Sequence, residues 1–189
     1  MGPRAQQTIA VLAGLACALA ACGQGSEEPP VAASSCGAVE RELDELGLEG
    51  TRALTLCLLN AERAKHGLSG LEPEPRLERA SQDHSRDMVA RRFFEHDAPG
   101  GVEPYERMLA AGYPANNAST AENIAWGSGR RGSPGAVMAA WMRSPPHRAA
   151  ILDGRYTQVG VGVVAGAPEP TEASDPPATY TTDFGGPPG

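Results

Sequence analysis

The stretch Trp141–Val163 constrains the fold of this chain more than any other. Ser144-Pro145-Pro146 is a capping residue followed by prolines, which is typical of a helix start and places His147 in the first turn. The segment Tyr156–Val164 alternates valine and glycine and is therefore predicted to be a strand. The glycines on one face of this strand indicate close approach by another element, which we expect to be a helix.

The N-terminal residues have the pattern of an export signal. An early Arg4 and a short apolar run ending in Leu19-Ala20-Ala21-Cys22 resemble a bacterial lipoprotein signal with its lipobox. We therefore predict a signal peptide over residues 1–21, acylation of Cys22, and an extracytoplasmic protein held at the membrane by that anchor. The alternative is ordinary signal cleavage with Cys22 incidental. Residues 22–35 are small and polar and predict a flexible tether.

Charge and cysteine content narrow the function classes and the compartment. The chain has a formal net charge of −7, and Arg91-Arg92 and Arg130-Arg131 are isolated pairs, so we exclude nucleic-acid binding. With Cys17 removed and Cys22 acylated, Cys36 and Cys57 remain as a pair that can form a disulfide in an oxidising compartment. The alternative is a buried Cys57 and a free Cys36.

An N-terminal extension over residues 36–50 is expected to hold a short helix over residues 36–48. Apolar periodicity predicts helices over residues 51–66 and 76–93. A short helix is expected over residues 104–111, and Ser133-Pro134 predicts the start of a helix that runs into Trp141. His84 lies on the apolar face of the second helix and is interpreted as a core residue rather than a ligand. A strand over residues 179–184 is expected to pair antiparallel with the valine–glycine strand. One domain is predicted over residues 51–189.

Three side chains stand out as candidate site residues: His96 where a helix gives way to a loop, Glu122 among apolar residues, and His147. A buried carboxylate is costly unless a backbone cluster, a histidine or a metal pairs with it. Two histidines and one carboxylate can also bind zinc and leave a position for water. No catalytic residue is assigned.

Six motifs together resemble the CAP superfamily (cysteine-rich secretory, antigen 5 and pathogenesis-related 1 proteins) in its bacterial SCP-like form, over roughly residues 53–185. They are Asn60-Ala61-Glu62-Arg63, residues 80–88 (ASQDHSRDM), Phe93-Phe94-Glu95-His96, Glu122-Asn123-Ile124-Ala125, Trp141 with Ser144-Pro145-Pro146-His147-Arg148, and residues 156–162 (YTQVGVG).

The resemblance implies an α+β fold, a three-layer α-β-α sandwich around a small antiparallel sheet, with a cleft of two histidines and two glutamates that binds zinc in some relatives. His96 and Glu122 match two of those positions. Ser144 and Arg155 stand at the other two, so the full set cannot be carried over.

Three functions remain open at this stage. The first is a monomeric, lipid-anchored module that binds a metal or a ligand, such as a lipid, a sterol or an envelope partner. The second is a metal-dependent hydrolase acting on envelope peptide or polymer. The third is a structural protein whose His/Glu cluster only stabilises the fold.

Overall fold

The computed structural model describes residues 36–188 apart from Ala38. The predicted signal peptide, Cys22 and the tether lie outside the described residues. Within the described part, no helix is long and apolar enough to cross a membrane.

Five helices and four strands make up the described chain. Their bounds are α1 Leu43–Lys65, β1 Glu72–Pro73, α2 Pro75–Arg91, α3 Pro104–Ala110, β2 Ala118–Ser128, α4 Pro134–Arg143, α5 Pro145–Ile151, β3 Gln158–Ala165 and β4 Pro177–Pro188, with a 3-10 turn at Gly129–Gly132 before α4.

The sheet has the order β1-β3-β4-β2. Strands β2, β4 and β3 are antiparallel neighbours, and the two-residue β1 pairs parallel to β3 at the edge. The predicted antiparallel pairing of β3 with β4 is confirmed. Helices pack on both faces of the sheet, so the predicted three-layer α-β-α sandwich is confirmed as well.

The main core lies between the sheet and the layer of α1, α4 and α5. It contains Leu58 and Leu59 of α1, Trp141 of α4, and the valines at 159, 161 and 163 of β3. A smaller core on the other face joins Leu77 of α2 to Met108 of α3. Burial of these apolar side chains is the main stabilising contribution to the fold.

The glycines of β3 allow α2 to approach the sheet at backbone distance, as predicted. A Cβ added at Gly160 would overlap the backbone of Leu77, and one at Gly162 would overlap the backbone of Ser81. The valines between them point to the other face, so one strand serves both layers.

Helix α1 begins earlier than predicted. The expected short helix over residues 36–48 and the expected helix over residues 51–66 form one element from Leu43, with a kink at Gly47, whose φ is 67°. Glycine adopts this positive-φ conformation at little cost, so the helix continues past the kink. The disulfide between Cys36 and Cys57 is present and fixes the segment before the kink to α1.

Arg63 joins the end of α1 to the segment that precedes β3. Its guanidinium is buried and donates hydrogen bonds to the backbone carbonyls of Ile151, Asp153 and Tyr156. Asn60, one turn earlier, exchanges hydrogen bonds with the backbone of Leu71. Both side chains therefore face inward and hold backbone groups.

Candidate functional site

The structure brings His96 and Glu122 into direct contact. The imidazole Nδ1 of His96 donates to Glu122 Oε1 at 2.8 Å. The Glu122 side chain is only 1% exposed, whereas that of His96 is 48% exposed. The buried carboxylate thus fixes the ring, and Nε2 remains as the free nitrogen of a half-exposed imidazole.

Arg107 is the second partner of Glu122 and was not among the predicted site residues. It lies on α3, its side chain is 12% exposed, and its guanidinium donates to Glu122 Oε2 at 2.6 Å. Burial opposes ionisation of Glu122, but the hydrogen bond from His96 and the charge of Arg107 outweigh it, so the pKa of this carboxyl is lowered. Both oxygens of Glu122 are therefore engaged.

The pKa values of His96 and His147 shift in opposite directions. The hydrogen bond to Glu122 raises the pKa of His96 against the effect of burial. Burial and the charge of His96 lower the pKa of His147. Both effects favour the neutral ring of His147, and burial is the larger of the two.

His147 reaches the site from the opposite helical layer. It lies in the first turn of α5, and its backbone carbonyl accepts a hydrogen bond from Asn123, the neighbour of Glu122 on the edge strand β2. Its ring makes no hydrogen bond to His96 or Glu122 among the described residues. Ser144 occupies the N-cap position of α5 as predicted, without a capping hydrogen bond from its side chain.

Two further buried groups lie behind Glu122. The ring of His84 is fully buried, and its Nε2 donates to the carbonyl of Glu95 at 3.1 Å, which confirms a core histidine with one hydrogen bond. Its Nε2 is also 3.9 Å from Glu122 Oε1.

Asp183 pairs directly with Glu122 across β2 and β4 and is 1% exposed. Burial, reinforced by the charge of Glu122, raises the pKa of Asp183 well above its usual range, which favours the protonated form of this carboxyl.

Zinc does not fit the donor set as it stands. Glu122 accepts a hydrogen bond from His96 on one oxygen and from a guanidinium on the other, so a cation on this carboxylate would have to share or displace these contacts. Arg155 pairs with Asp153 on the surface and does not reach the site. Among the described residues, no group of three or more His, Cys, Asp or Glu is arranged to hold a metal ion. The two imidazoles alone fall short of the three protein ligands of a catalytic zinc site.

A groove of about 470 Å³ lies between α2 and α3, behind Arg107. Its apolar lining is Ala80, Ala98, Pro99, Val102, Ala110 and Ala111, and its charged or titratable lining is Arg79, Asp83, His84, Asp87, Arg91 and Arg107. Its volume is in the range of small-ligand pockets. Arg107 lines this groove and also contacts Glu122, so it connects the groove to the His/Glu cluster, by which we mean His96, Glu122 and their immediate partners.

Comparisons with known proteins agree with this architecture. A model of the family described as "CAP: Cysteine-rich secretory protein family" matches residues 56–171. The chain is 37% identical over 107 residues to the uncharacterized protein YkwD of Bacillus subtilis (strain 168), an alignment that covers 57% of the chain and 40% of that protein.

Two solved structures resemble the fold. An extracellular protein containing a SCP domain from Bacillus anthracis superposes with a TM-score of 0.60 at 23% identity, covering 76% of this chain and 43% of that one. An outer surface protein from Borrelia burgdorferi also gives a TM-score of 0.60, at 19% identity, covering 77% of this chain and 96% of that one. At these identities the likeness establishes the fold alone.

Proposed function

This chain belongs to the cysteine-rich secretory protein (CAP) family, and we propose that it is an extracytoplasmic ligand-binding module whose site combines the His/Glu cluster with the adjacent groove. The observation that carries this proposal is the double engagement of Glu122 by His96 and Arg107. Because the carboxylate is neutralised and buried, it orients an imidazole rather than binding a cation or attacking a substrate.

The groove supports an amphipathic ligand. Half of its lining is apolar and suits an apolar body, the other half is charged or titratable, and Arg107 connects it to Glu122. Apolar pockets with a few convergent polar groups are the usual form of small-molecule sites. A lipid or a sterol, which the family resemblance implies for some relatives, has this character.

Calorimetric titration of the full-length chain with dodecanoate tests the binding proposal. Ala110→Trp places an indole in the groove from an exposed position of α3, and Ala149→Trp makes the same change at an exposed position of α5. We expect binding by the wild type, at least about tenfold weaker binding by Ala110→Trp, and no change for Ala149→Trp. Equal affinities of all three proteins, or no binding by the wild type, would refute the groove as the site.

The metal-dependent hydrolase is the second candidate, and one observation favours its hydrolysis, although not its metal. A carboxylate that orients an imidazole is the arrangement used to position a general base. Zinc titration of the wild type beside a His96→Ala, His147→Ala double variant tests the metal. One ion bound at micromolar affinity and lost in the variant would establish a metal site and justify screening envelope peptides and polymers.

Glu122→Ala separates the three functions. Loss of turnover with dodecanoate affinity largely retained indicates a hydrolase. Retained affinity without any turnover in the wild type indicates a binding module. A lower melting temperature with no ligand or zinc binding by the wild type indicates a structural cluster.

We also propose that the protein is a monomer anchored at the cell envelope through acylated Cys22. The Leu19-Ala20-Ala21-Cys22 pattern supports the anchor, and the Cys36–Cys57 disulfide supports an oxidising compartment. The similar extracellular and outer surface proteins agree with that location. Incorporation of labelled palmitate, lost in Cys22→Ala together with membrane association, tests the anchor, and sedimentation of the detergent-solubilised protein tests the monomer.

A further inference from the structure

A second cleft lies on the same face of β2 as Glu122. Side chains alternate along a strand, so Trp126 and Ser128 share the face of Glu122, and Trp126 lies about 13 Å further along. The cleft has a volume of about 530 Å³ and is lined by Trp126, Ser128, Arg130 and Arg131, together with Thr171 and Asp175 of the β3–β4 loop. It is separate from the groove between α2 and α3.

The two arginines of this cleft are exposed and largely without counter-ions. The nearest carboxylate to Arg130 is Glu40, at 3.9 Å. The Arg131 side chain makes no ion pair and no hydrogen bond within the described part of the chain. In a chain of net charge −7, two adjacent cations with one long ion pair between them form a local site for an anion. The acidic surroundings disfavour a long polyanion, so the anion is expected to be short.

The remaining lining groups suit a sugar. Trp126 is half-buried and contributes aromatic surface against which the C–H face of a pyranose ring can pack. The hydroxyl of Ser128 is buried and has no hydrogen-bond partner among the described residues. Thr171 supplies another hydroxyl and Asp175 an acceptor, and sugar hydroxyls both donate and accept.

We propose that this cleft binds a short acidic saccharide, with the ring against Trp126 and the carboxylate between Arg130 and Arg131. Two guanidinium groups against the single carboxylate of Asp175 give the lining a net positive charge, which favours an acidic sugar over a neutral one. A free inorganic anion could use the arginines but would gain nothing from the indole. The proposal is independent of the ligand proposed for the groove.

Tryptophan fluorescence of the full-length chain provides a direct test. Trp141 is 1% exposed and its Nε1 donates to the carbonyl of Ile124, so Trp126 is the tryptophan that a ligand in the cleft can contact. The probe is a tetramer of galacturonic acid, and the neutral comparison is a tetramer of galactose. We expect the acidic tetramer to change the emission saturably and the neutral tetramer to bind at least about tenfold more weakly.

Matched variants separate the contributions, with affinities measured by calorimetry. Arg130→Ala combined with Arg131→Ala should weaken binding of the acidic tetramer at least about tenfold, and Trp126→Phe should weaken it severalfold. Arg143→Ala, an exposed arginine at the end of α4, is the control and should leave affinity unchanged. Asp175→Asn should tighten binding, because it removes the one negative charge of the lining.

Three outcomes would overturn the proposal. Equal affinity for the acidic and neutral tetramers, or an arginine double variant that binds like the wild type, would rule out recognition of the carboxylate. Competition by inorganic phosphate at the same concentration as the acidic tetramer would show a simple anion site. No binding up to about 10 mM would remove the site altogether.

Discussion

The buried carboxyl pair of Glu122 and Asp183 yields a prediction with an unusual energetic pattern. The two residues are directly opposed on β2 and β4, which places their Cβ atoms about 4.5–5.5 Å apart. The lowered pKa of Glu122 and the raised pKa of Asp183 favour a single negative charge in the pair, carried by Glu122, which accepts a hydrogen bond from Arg107. Replacing either residue by its amide therefore tests a different protonation state.

Single substitutions should differ sharply in cost. Removing one partner of a buried ion pair costs about 3–5 kcal/mol, and Arg107 is 12% exposed. In Glu122→Gln, however, Asp183 can release its proton and neutralise Arg107, so we expect a smaller loss, about 2 kcal/mol. Asp183→Asn replaces one neutral group with another and should cost under about 1 kcal/mol. The double variant leaves Arg107 as a buried cation without a partner and should therefore lose about 3–5 kcal/mol.

Urea unfolding of the four proteins at pH 7 gives the coupling energy. We expect the double variant to be destabilised by at least about 1 kcal/mol more than the sum of the single variants. The melting temperature of Glu122→Gln should fall by about 4–8 °C, since each kcal/mol is worth about 2–4 °C in a domain of this size. Additive costs, or an Asp183→Asn variant as unstable as Glu122→Gln, would show that the pair does not share one charge in this way.

Three further predictions concern the fold. Replacing Cys36 and Cys57 together by serine should cost about 3 kcal/mol on the chain-entropy estimate for the intervening loop, and scanning calorimetry should show the same loss for the reduced wild type. Gly160→Ala should cost more than about 3 kcal/mol in urea unfolding, because its Cβ would overlap the backbone of α2, whereas Gly70→Ala has room and should cost little. Burial lowers the pKa of His84 below its unfolded value of 6.5, so the stabilising contribution of the neutral ring is present above that pH and is lost as the pH falls. The His84→Gln variant should therefore be less stable than the wild type at pH 7. It should also lose less stability than the wild type between about pH 7 and pH 5.

Most of the fold could be predicted because its signals are local. Periodicity identified the helices, and the alternation of valine and glycine identified both β3 and its approach by a helix. Two strands were not predicted, for different reasons. Strand β1 has only two residues and exists through its pairing with β3. Strand β2 reads ASTAENIAWGS, whose faces are both partly covered, so no alternation of apolar and polar residues marks it.

The site was predicted only in part, because two of its members depend on tertiary contacts. His96 and Glu122 were identified from their local settings, and the structure joins them. Arg107 lies 15 residues from Glu122, on a seven-residue helix whose orientation no sequence pattern specifies. Asp183 was overlooked on a strand whose other face carries Tyr180 and Phe184. A signal did exist: Asp183 pairs with Gly160, and a glycine that admits a helix backbone indicates that its neighbours on that face are buried too.

The two departures from the four-residue cleft that the family resemblance implies, together with the contact of Arg107 with Glu122, have one electrostatic consequence. Where Ser144 and Arg155 replace an acid and a histidine, the cleft has fewer ligands for a cation, and Arg107 supplies a resident positive charge to Glu122 instead. A divalent ion on this carboxylate would sit within about 4 Å of a guanidinium, and like charges at that distance repel strongly in a buried setting. Any zinc affinity should therefore reside on the imidazoles of His96 and His147. Arg107→Leu should raise this affinity, because it removes the nearby positive charge. A zinc site that used the Glu122 oxygens in the presence of Arg107 would instead show that the guanidinium moves away on binding.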